Sequence, residues 1–404
     1  MAQFTRRGML VAGLAPPAVS KEVFLRSPRK GIAVMAYAYY ASARGGEMMS
    51  IEQRWSRSDT IDVSYVRRSH DYGETWSEPV EERTGERRAN GMWRKHPRGG
   101  WVDPRSGRFV ELWLEGTLPT DDPLEGLRQW MIFYRVNGKT RQVVHEGGDS
   151  SHWLPGIELG KNSAMLGDQT CQPLSYRGEV LLPLSVSPRA PDGSLYNPGG
   201  GYTYQDSAVL HGRWVGDELR WKMGDLVKGD PSATTRGLSE PTLAELDKGR
   251  LLMVMRGSND RKPELPGYRW VSTSTDGGWK WTAPEPWMDS SGTRILTPSS
   301  CSQLLRHSNG RIYWLGNLAK TNPRGNRPRY PFHVAEVDRS SGRLIRETVR
   351  VVDDLQPGEN PLLTLSNFYA REDRRTREIC LHMTRLFALP EGWEGDSMLY
   401  RIRV

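Results

Sequence analysis

Arginines and carboxylates are the residues of this chain whose types and spacing could do chemistry. Ser239-Glu240-Pro241 is followed by Leu251-Leu252-Met253-Val254-Met255-Arg256, so a carboxylate and a guanidinium stand sixteen residues apart. Gly325-Asn326-Arg327-Pro328-Arg329-Tyr330 carries two arginines on one short segment, and Arg26-Ser27-Pro28 offers another near the start. Arg57-Ser58-Asp59-Thr60 is a polar run holding a carboxylate. Guanidiniums brought to one point repel each other unless an anion is bound, and their planar forks match a carboxylate. A carboxylate in a polar loop is a sensible proton donor once its pKa is tuned. The eight histidines form no HExxH and no i,i+4 pair, and no GxSxG elbow, P-loop or dinucleotide fingerprint occurs. Neither a metal nor a cofactor is therefore expected.

Lys and Arg number 56 against 48 Asp and Glu, a formal charge of +8. The cations are scattered, with no dense block or nucleic-acid module. An anionic small ligand is favoured over nucleic acid, while a role in solubility alone stays open. The basic stretch Trp93-Arg94-Lys95-His96-Pro97-Arg98 either lines an anionic subsite or forms a solvated edge. No run approaches the roughly 18 apolar residues of a membrane span. Cys171, Cys301 and Cys380 are odd in number and lack CxxC spacing, which predicts buried free thiols. Thr5-Arg6-Arg7-Gly8-Met9-Leu10 ahead of Val11-Ala12-Gly13-Leu14-Ala15 looks like a twin-arginine export leader over residues 1–20. Export to the periplasm or beyond is the expectation, with a cytoplasmic leader as the alternative. That route carries folded proteins, which suits a chain without disulfides.

Such residues need elements to position them. Hydrophobic residues make up only 37% of the chain, while Gly (42) and Trp (15) are plentiful, which suits many short strands and turns. Ser69-His70-Asp71-Tyr72-Gly73-Glu74-Thr75-Trp76 and Ser274-Thr275-Asp276-Gly277-Gly278-Trp279-Lys280-Trp281 share S-x-D-x-G-x-(T/K)-W, each after a strand-like run. In a tight turn the Asp accepts backbone N–H bonds, Gly takes positive φ and Trp packs back as an anchor. Turns followed by apolar runs recur around residues 31, 107, 178, 249, 310 and 377, at spacings of 76, 71, 71, 61 and 67. Six repeats of this size predict an all-β, six-bladed β-propeller forming one domain over residues 21–404. A β-sandwich would not explain the period. Closure is expected to pair residues near Lys21–Phe24 with the last blade, removing exposed edges. The innermost strands are expected at Phe24–Pro28, His96–Asp103, Gln169–Tyr176, Ser239–Leu246, Ser300–His307 and Leu365–Arg371. Their polarity suggests a site on the axis.

The paired turn motif resembles the Asp-box of the sialidase superfamily, the BNR-repeat β-propellers. The resemblance covers nearly the whole chain after the leader. It implies a sialidase-type propeller and an exo-acting glycoside hydrolase on an acidic, carboxylated sugar. Arg26 and Arg256 match the first two arginines of the family's carboxylate-gripping triad. Arg329 fits the third, with Arg327 close behind. Asp59, ten residues before Ser69, matches the acid/base of the family, with Glu52 and Asp62 as alternatives. The family's Tyr nucleophile begins the sixth inner strand. Here Thr364-Leu365-Ser366-Asn367-Phe368-Tyr369 puts Leu365 in its place. Tyr369 is a weak substitute, since four strand residues span about 13 Å. Gln172, Asn367 and Tyr369 complete the expected substrate-binding set. Glu240, which supports the Tyr in the family, is kept and could act as base on water with Asp59 as acid, an inverting arrangement. The alternatives are a hydrolase or lyase for uronate polysaccharide and a non-catalytic carbohydrate-binding propeller.

Overall fold

The computed structural model describes residues 19–143, 154–389 and 392–404. Six small antiparallel sheets form the ring of a six-bladed β-propeller. The first blade comprises Ala33–Tyr40, Met48–Trp55, Val63–Ser69 and Val80–Glu82, counted from axis to rim. The fourth repeats the plan with Ser239–Glu245, Leu251–Arg256, Arg269–Ser274 and Glu285–Pro286. Apolar second strands such as Glu179–Val186 and Ile312–Asn317 are buried on both faces, because each sheet packs between two neighbours.

The two related turns each join a third strand to a fourth. In the first blade, Ser69 Oγ bonds Asp71 Oδ1 (2.8 Å) and accepts the Gly73 N–H (2.9 Å), while Asp71 accepts the Thr75 N–H at 2.9 Å. Those bonds hold the Asp71 carboxyl well below its ordinary value, the Thr75 hydroxyl first. Gly73 has φ +84°, and a Cβ there would stand 3.1 Å from the Trp76 ring. In the fourth blade Ser274, Asp276, Gly278 and Lys280 repeat the pattern, and Trp281 Nε1 donates to Gly278 O at 3.0 Å.

Val19–Leu25 closes the ring as the outermost strand of the sixth blade, pairing with Ser397–Ile402. Most of the expected leader lies outside the described residues; Val19 and Ser20 already pair with Ile402 and Arg401. Lys21 Nζ reaches Asp353 Oδ1 at 3.3 Å and ties the closing strand to the fifth blade. One expectation is corrected. Phe24–Pro28 is not an inner strand; the first blade's axial strand is Ala33–Tyr40, after the turn at Gly31. The closing strand occupies the segment that the repeat had assigned to the axis.

Blades four and five share a core in which Trp287, 1% exposed, packs edge-on to Trp314 and donates from Nε1 to Gly342 O at 2.8 Å. Truncating Trp287→Ala leaves a cavity and an unpaired carbonyl, and is expected to cost about 3–5 kcal/mol. Trp287→Phe is expected to lose only about 1–2 kcal/mol, mostly the hydrogen bond. Urea unfolding of both variants measures the difference; a Trp287→Phe variant as stable as the wild type would show that the bond contributes nothing.

Candidate functional site

The inner strands converge on a cavity of about 540 Å³ at one end of the axis. Its chemistry begins at a backbone irregularity. The pairing of Ser239–Glu245 with Leu251–Arg256 slips between Ser239 and Thr242, and Glu240 sits there at φ +49°. A non-glycine residue rarely adopts that conformation, and its cost is borne by surrounding structure. Its N–H donates to Ser185 Oγ of the third blade at 3.0 Å. The twist turns the Glu240 side chain toward Arg256, whose Nη1 donates to Glu240 Oε1 at 2.7 Å. Arg256 Nε in turn donates to Ser299 Oγ at 2.8 Å. Burial pushes the Glu240 carboxyl up, but the charge and bond of Arg256 outweigh it, helped by Cys301 and Arg329, and it settles at about 2.

Three more guanidiniums crowd this pair. Arg329 Nη2 donates to Ser299 O (2.8 Å) and Arg236 Nη2 to Thr203 Oγ1 (2.7 Å). Arg269, 0% exposed, lies directly across the strand pair from Arg256 and donates from Nη2 to Ser300 O at 2.9 Å. Burial first and Arg256 second press each of these three arginines down to about 10. Nε of Arg236, Arg269 and Arg329, and Oε2 of Glu240, are buried without a hydrogen-bond partner among the described residues. Buried polar atoms almost always have partners. Arg236, Arg329 and Glu240 line the cavity, and such a concentration there is the signature of a polar ligand site.

Asp59 belongs to the opposite rim. It is exposed at φ +55°, and its Oδ2 accepts from Ser58 Oγ (2.9 Å) and Tyr202 Oη (3.4 Å). The two alternatives to it are structural: Asp62 accepts the Ser56 N–H at 2.7 Å, and buried Glu52 pairs with Arg54 at 2.8 Å. A third carboxylate, Asp168, lines the cavity beside Asn367 and Cys301. Burial raises its pKa, Arg98 opposing and Glu240 adding. Across from the arginines, Trp55, Ile61, Leu124, Leu127, Trp130 and Met165 of the first three blades make an apolar wall.

The structure thus brings together Asp59, Glu240, Arg256, Arg327, Arg329 and Asn367. It does not bring in three others. Arg26 follows the closing strand, with its side chain 77% exposed and 3.5 Å from Asp396, because the first blade begins later than expected. Gln172 is turned back on its own backbone, donating to Gln169 O. Tyr369 packs among Tyr37, Tyr39 and Met35 in a buried cluster away from the cavity. Leu365 is 0% exposed and points into the core of the sixth blade, leaving Thr364, Ser366 and Asn367 along the cavity. Sequence reasoning missed Arg236 altogether. Its only signal was its place four residues before Glu240. Asp168 immediately precedes the polar strand expected at Gln169–Tyr176, from which only Gln172 was expected in the site.

The fold and its axial cavity define a sialidase-type propeller. The BNR repeat-like domain family matches residues 159–357. No curated protein matches the chain. Among solved structures, a Trypanosoma rangeli sialidase bound to sialic acid is similar at 14% identity and TM-score 0.59, over 96% of this chain and 59% of that one. A Dyadobacter fermentans protein of unknown function is similar at 13% identity and TM-score 0.58, over 95% and 99%. An α-L-arabinofuranosidase of Fusarium graminearum in complex with arabinobiose is similar at 13% identity and TM-score 0.56, over 95% and 98%. At such identities the likeness establishes the fold. The family match and the six-sheet ring support a BNR-repeat protein with the fold of the sialidase propellers.

The Glu240–Arg256 pair has a pH signature. Unfolded, Glu240 titrates near 4.5; folded, near 2. The unfolded chain therefore binds the proton more tightly, so this contribution to stability is complete above about 4.5 and lost as pH falls toward 2. Glu240→Gln is expected to flatten that part of the acid limb in urea midpoints measured from pH 6 to pH 2. A limb as steep as in the wild type would contradict the pairing.

Proposed function

We propose that this protein is an exo-acting glycoside hydrolase for a sugar bearing a carboxylate. The observation that carries the reading is the set of buried guanidiniums around one paired carboxylate. Arg236, Arg256, Arg327 and Arg329 line the arginine side of the cavity, and Arg98 lines its floor. Against these five stand Asp59, Asp168 and Glu240, leaving an excess of positive charge. A ligand carboxylate would supply acceptors for the orphaned Nε atoms of Arg236 and Arg329 and relieve the repulsion. Arg236 takes the part expected of Arg26, from the fourth blade rather than the first.

In this reading Asp59, on its polar loop, gives its proton to the leaving oxygen. Glu240, locked by Arg256, stays ionised and steadies the positive charge that develops at the anomeric carbon. That pairing makes it a poor base. The apolar wall would hold a non-polar substituent or the edge of the next sugar. Similarity to sialidases and to the arabinofuranosidase supports a glycosidase, and the charge favours an acidic sugar over a neutral arabinoside.

A panel of sialosides, uronosides, arabinosides and acidic polysaccharides tests this, with product release and calorimetric binding of the free sugars read in parallel. Turnover of a carboxylated glycoside is expected. Arg329→Met or Arg236→Met should then lower kcat/KM by roughly 10- to 200-fold, as 1.4 to 3 kcal/mol of charge-assisted hydrogen bonding is lost. Preference for neutral arabinosides would overturn the substrate class. Binding of carboxylated sugars without turnover of any would make the protein a carbohydrate-binding propeller.

A further inference from the structure

The sixth blade leaves a chemical gap: the position where a nucleophile was expected is a leucine facing the core. The third blade offers a group for the gap. Its inner strand is broken into Ala164–Met165 and Leu174–Tyr176, both paired to Glu179–Val186. Between these pieces the chain crosses the cavity floor and presents Asp168. Gly167 permits the crossing, since a Cβ there would fall 2.4 Å from Cys171 Sγ and 3.2 Å from Glu240 Cγ. Asp168 Oδ2 accepts from Asn367 Nδ2 (3.1 Å) and Cys301 Sγ (3.4 Å), and Oδ1 from the Gln169 N–H (3.2 Å). Asn367 stands two residues beyond Leu365. The start of the sixth inner strand therefore holds Asp168 in place of supplying a reactive group of its own.

We propose that Asp168 is the catalytic base of this site, taking a proton from the water that attacks the anomeric carbon. The proposal rests on the glycosidase reading above. The water oxygen bonds to the anomeric carbon as one of its protons passes to Asp168. The glycosidic C–O bond breaks, its electron pair leaves with the aglycone oxygen, and that oxygen takes the proton of Asp59. Asp168 then returns its proton to solvent and Asp59 regains one. Water attacks directly, so the anomeric configuration inverts.

The surroundings of Asp168 divide the labour between it and Glu240. Arg98 and Glu240 are the charged groups facing it, with the Cys301 and Cys171 thiols and the Tyr37 hydroxyl as its other titratable neighbours. Among the described residues no guanidinium donates to Asp168, whereas Glu240 is tied to Arg256. Two carboxylates pushed to opposite sides of their ordinary pKa in one cavity serve different roles, and the less acidic one is the better base.

The test follows three readouts on the full chain with a carboxylated glycoside that the wild type turns over. Asp168→Asn is expected to lower kcat by about 10²- to 10⁴-fold, the usual contribution of a general base, with calorimetric affinity for the free sugar within threefold of wild type. Asp168→Ala with added azide is expected to recover rate and yield a glycosyl azide of inverted configuration. Proton NMR of the wild-type reaction should show the inverted anomer first. Asp168→Glu, checked by circular dichroism, covers the case in which the Asn or Ala variant does not fold; it should retain the acid limb of the pH–rate profile at a displaced midpoint. Retention of configuration, or Asp168→Asn turnover above a tenth of wild type, would overturn this role while leaving the glycosidase reading intact. Absence of wild-type turnover on every glycoside would overturn both.

Discussion

Glu240 is the carboxylate paired within a crowd of guanidiniums, and much of the molecule is arranged to tolerate that excess of positive charge. Arg256 pairs with Glu240, while Arg236, Arg269 and Arg329 donate to hydroxyls and carbonyls. Burying a cation without a paired anion is costly, and like charges in a water-poor cavity repel strongly. The cluster holds because each guanidinium is fixed by something other than charge. Arg256 and Arg269 are opposed across two hydrogen-bonded strands. Arg329 lies beside Thr364 of the next blade, and its carbonyl receives the Asn317 amide at 3.0 Å. Packing between blades four and five, centred on Trp287 and Trp314, keeps these strands from relaxing apart.

A regular pleat sends alternate side chains to the two faces of a blade, into the cores between neighbours. Few then point along the axis. The three cavity carboxylates all escape that rule at irregular backbone. Asp59 and Glu240 have positive φ, at +55° and +49°, and Asp168 lies in the break of the third inner strand. Strain of this kind persists only where the surroundings over-determine it. Each irregularity here has its own fastening: Ser58 and Tyr202 for Asp59, Ser185 and Arg256 for Glu240, Asn367 and Cys301 for Asp168.

The blades were legible because their signals are local. A serine, an aspartate and a glycine spaced to close a turn do so from neighbouring atoms, and the recurring turns counted six units. The same regularity misled at the first unit. The turn at Gly31 looks like the other five, but it follows the closing strand, so Arg26 left the axis. Tyr369 failed for a related reason: it continues the sixth inner strand into a buried tyrosine cluster, as a regular pleat allows. Gln172 returned to its own backbone, which its side chain can reach without any partner. Arg236 and Asp168 carried no motif and were found only by their neighbours.

From its own residues, then, the sequence determined the number of blades, the turns that delimit them and the kind of chemistry the chain could host, because turn geometry and residue type act over a few bonds. Only the tertiary structure decided which polar groups meet. That outcome depends on which strand closes the ring, where a pleat slips and how adjacent blades pack, and these are set by contacts between residues tens to hundreds of positions apart. Glu240 and Arg256 could be paired from their spacing across one hairpin. Asp168 and Asn367, 199 residues apart, could meet only once the ring was closed.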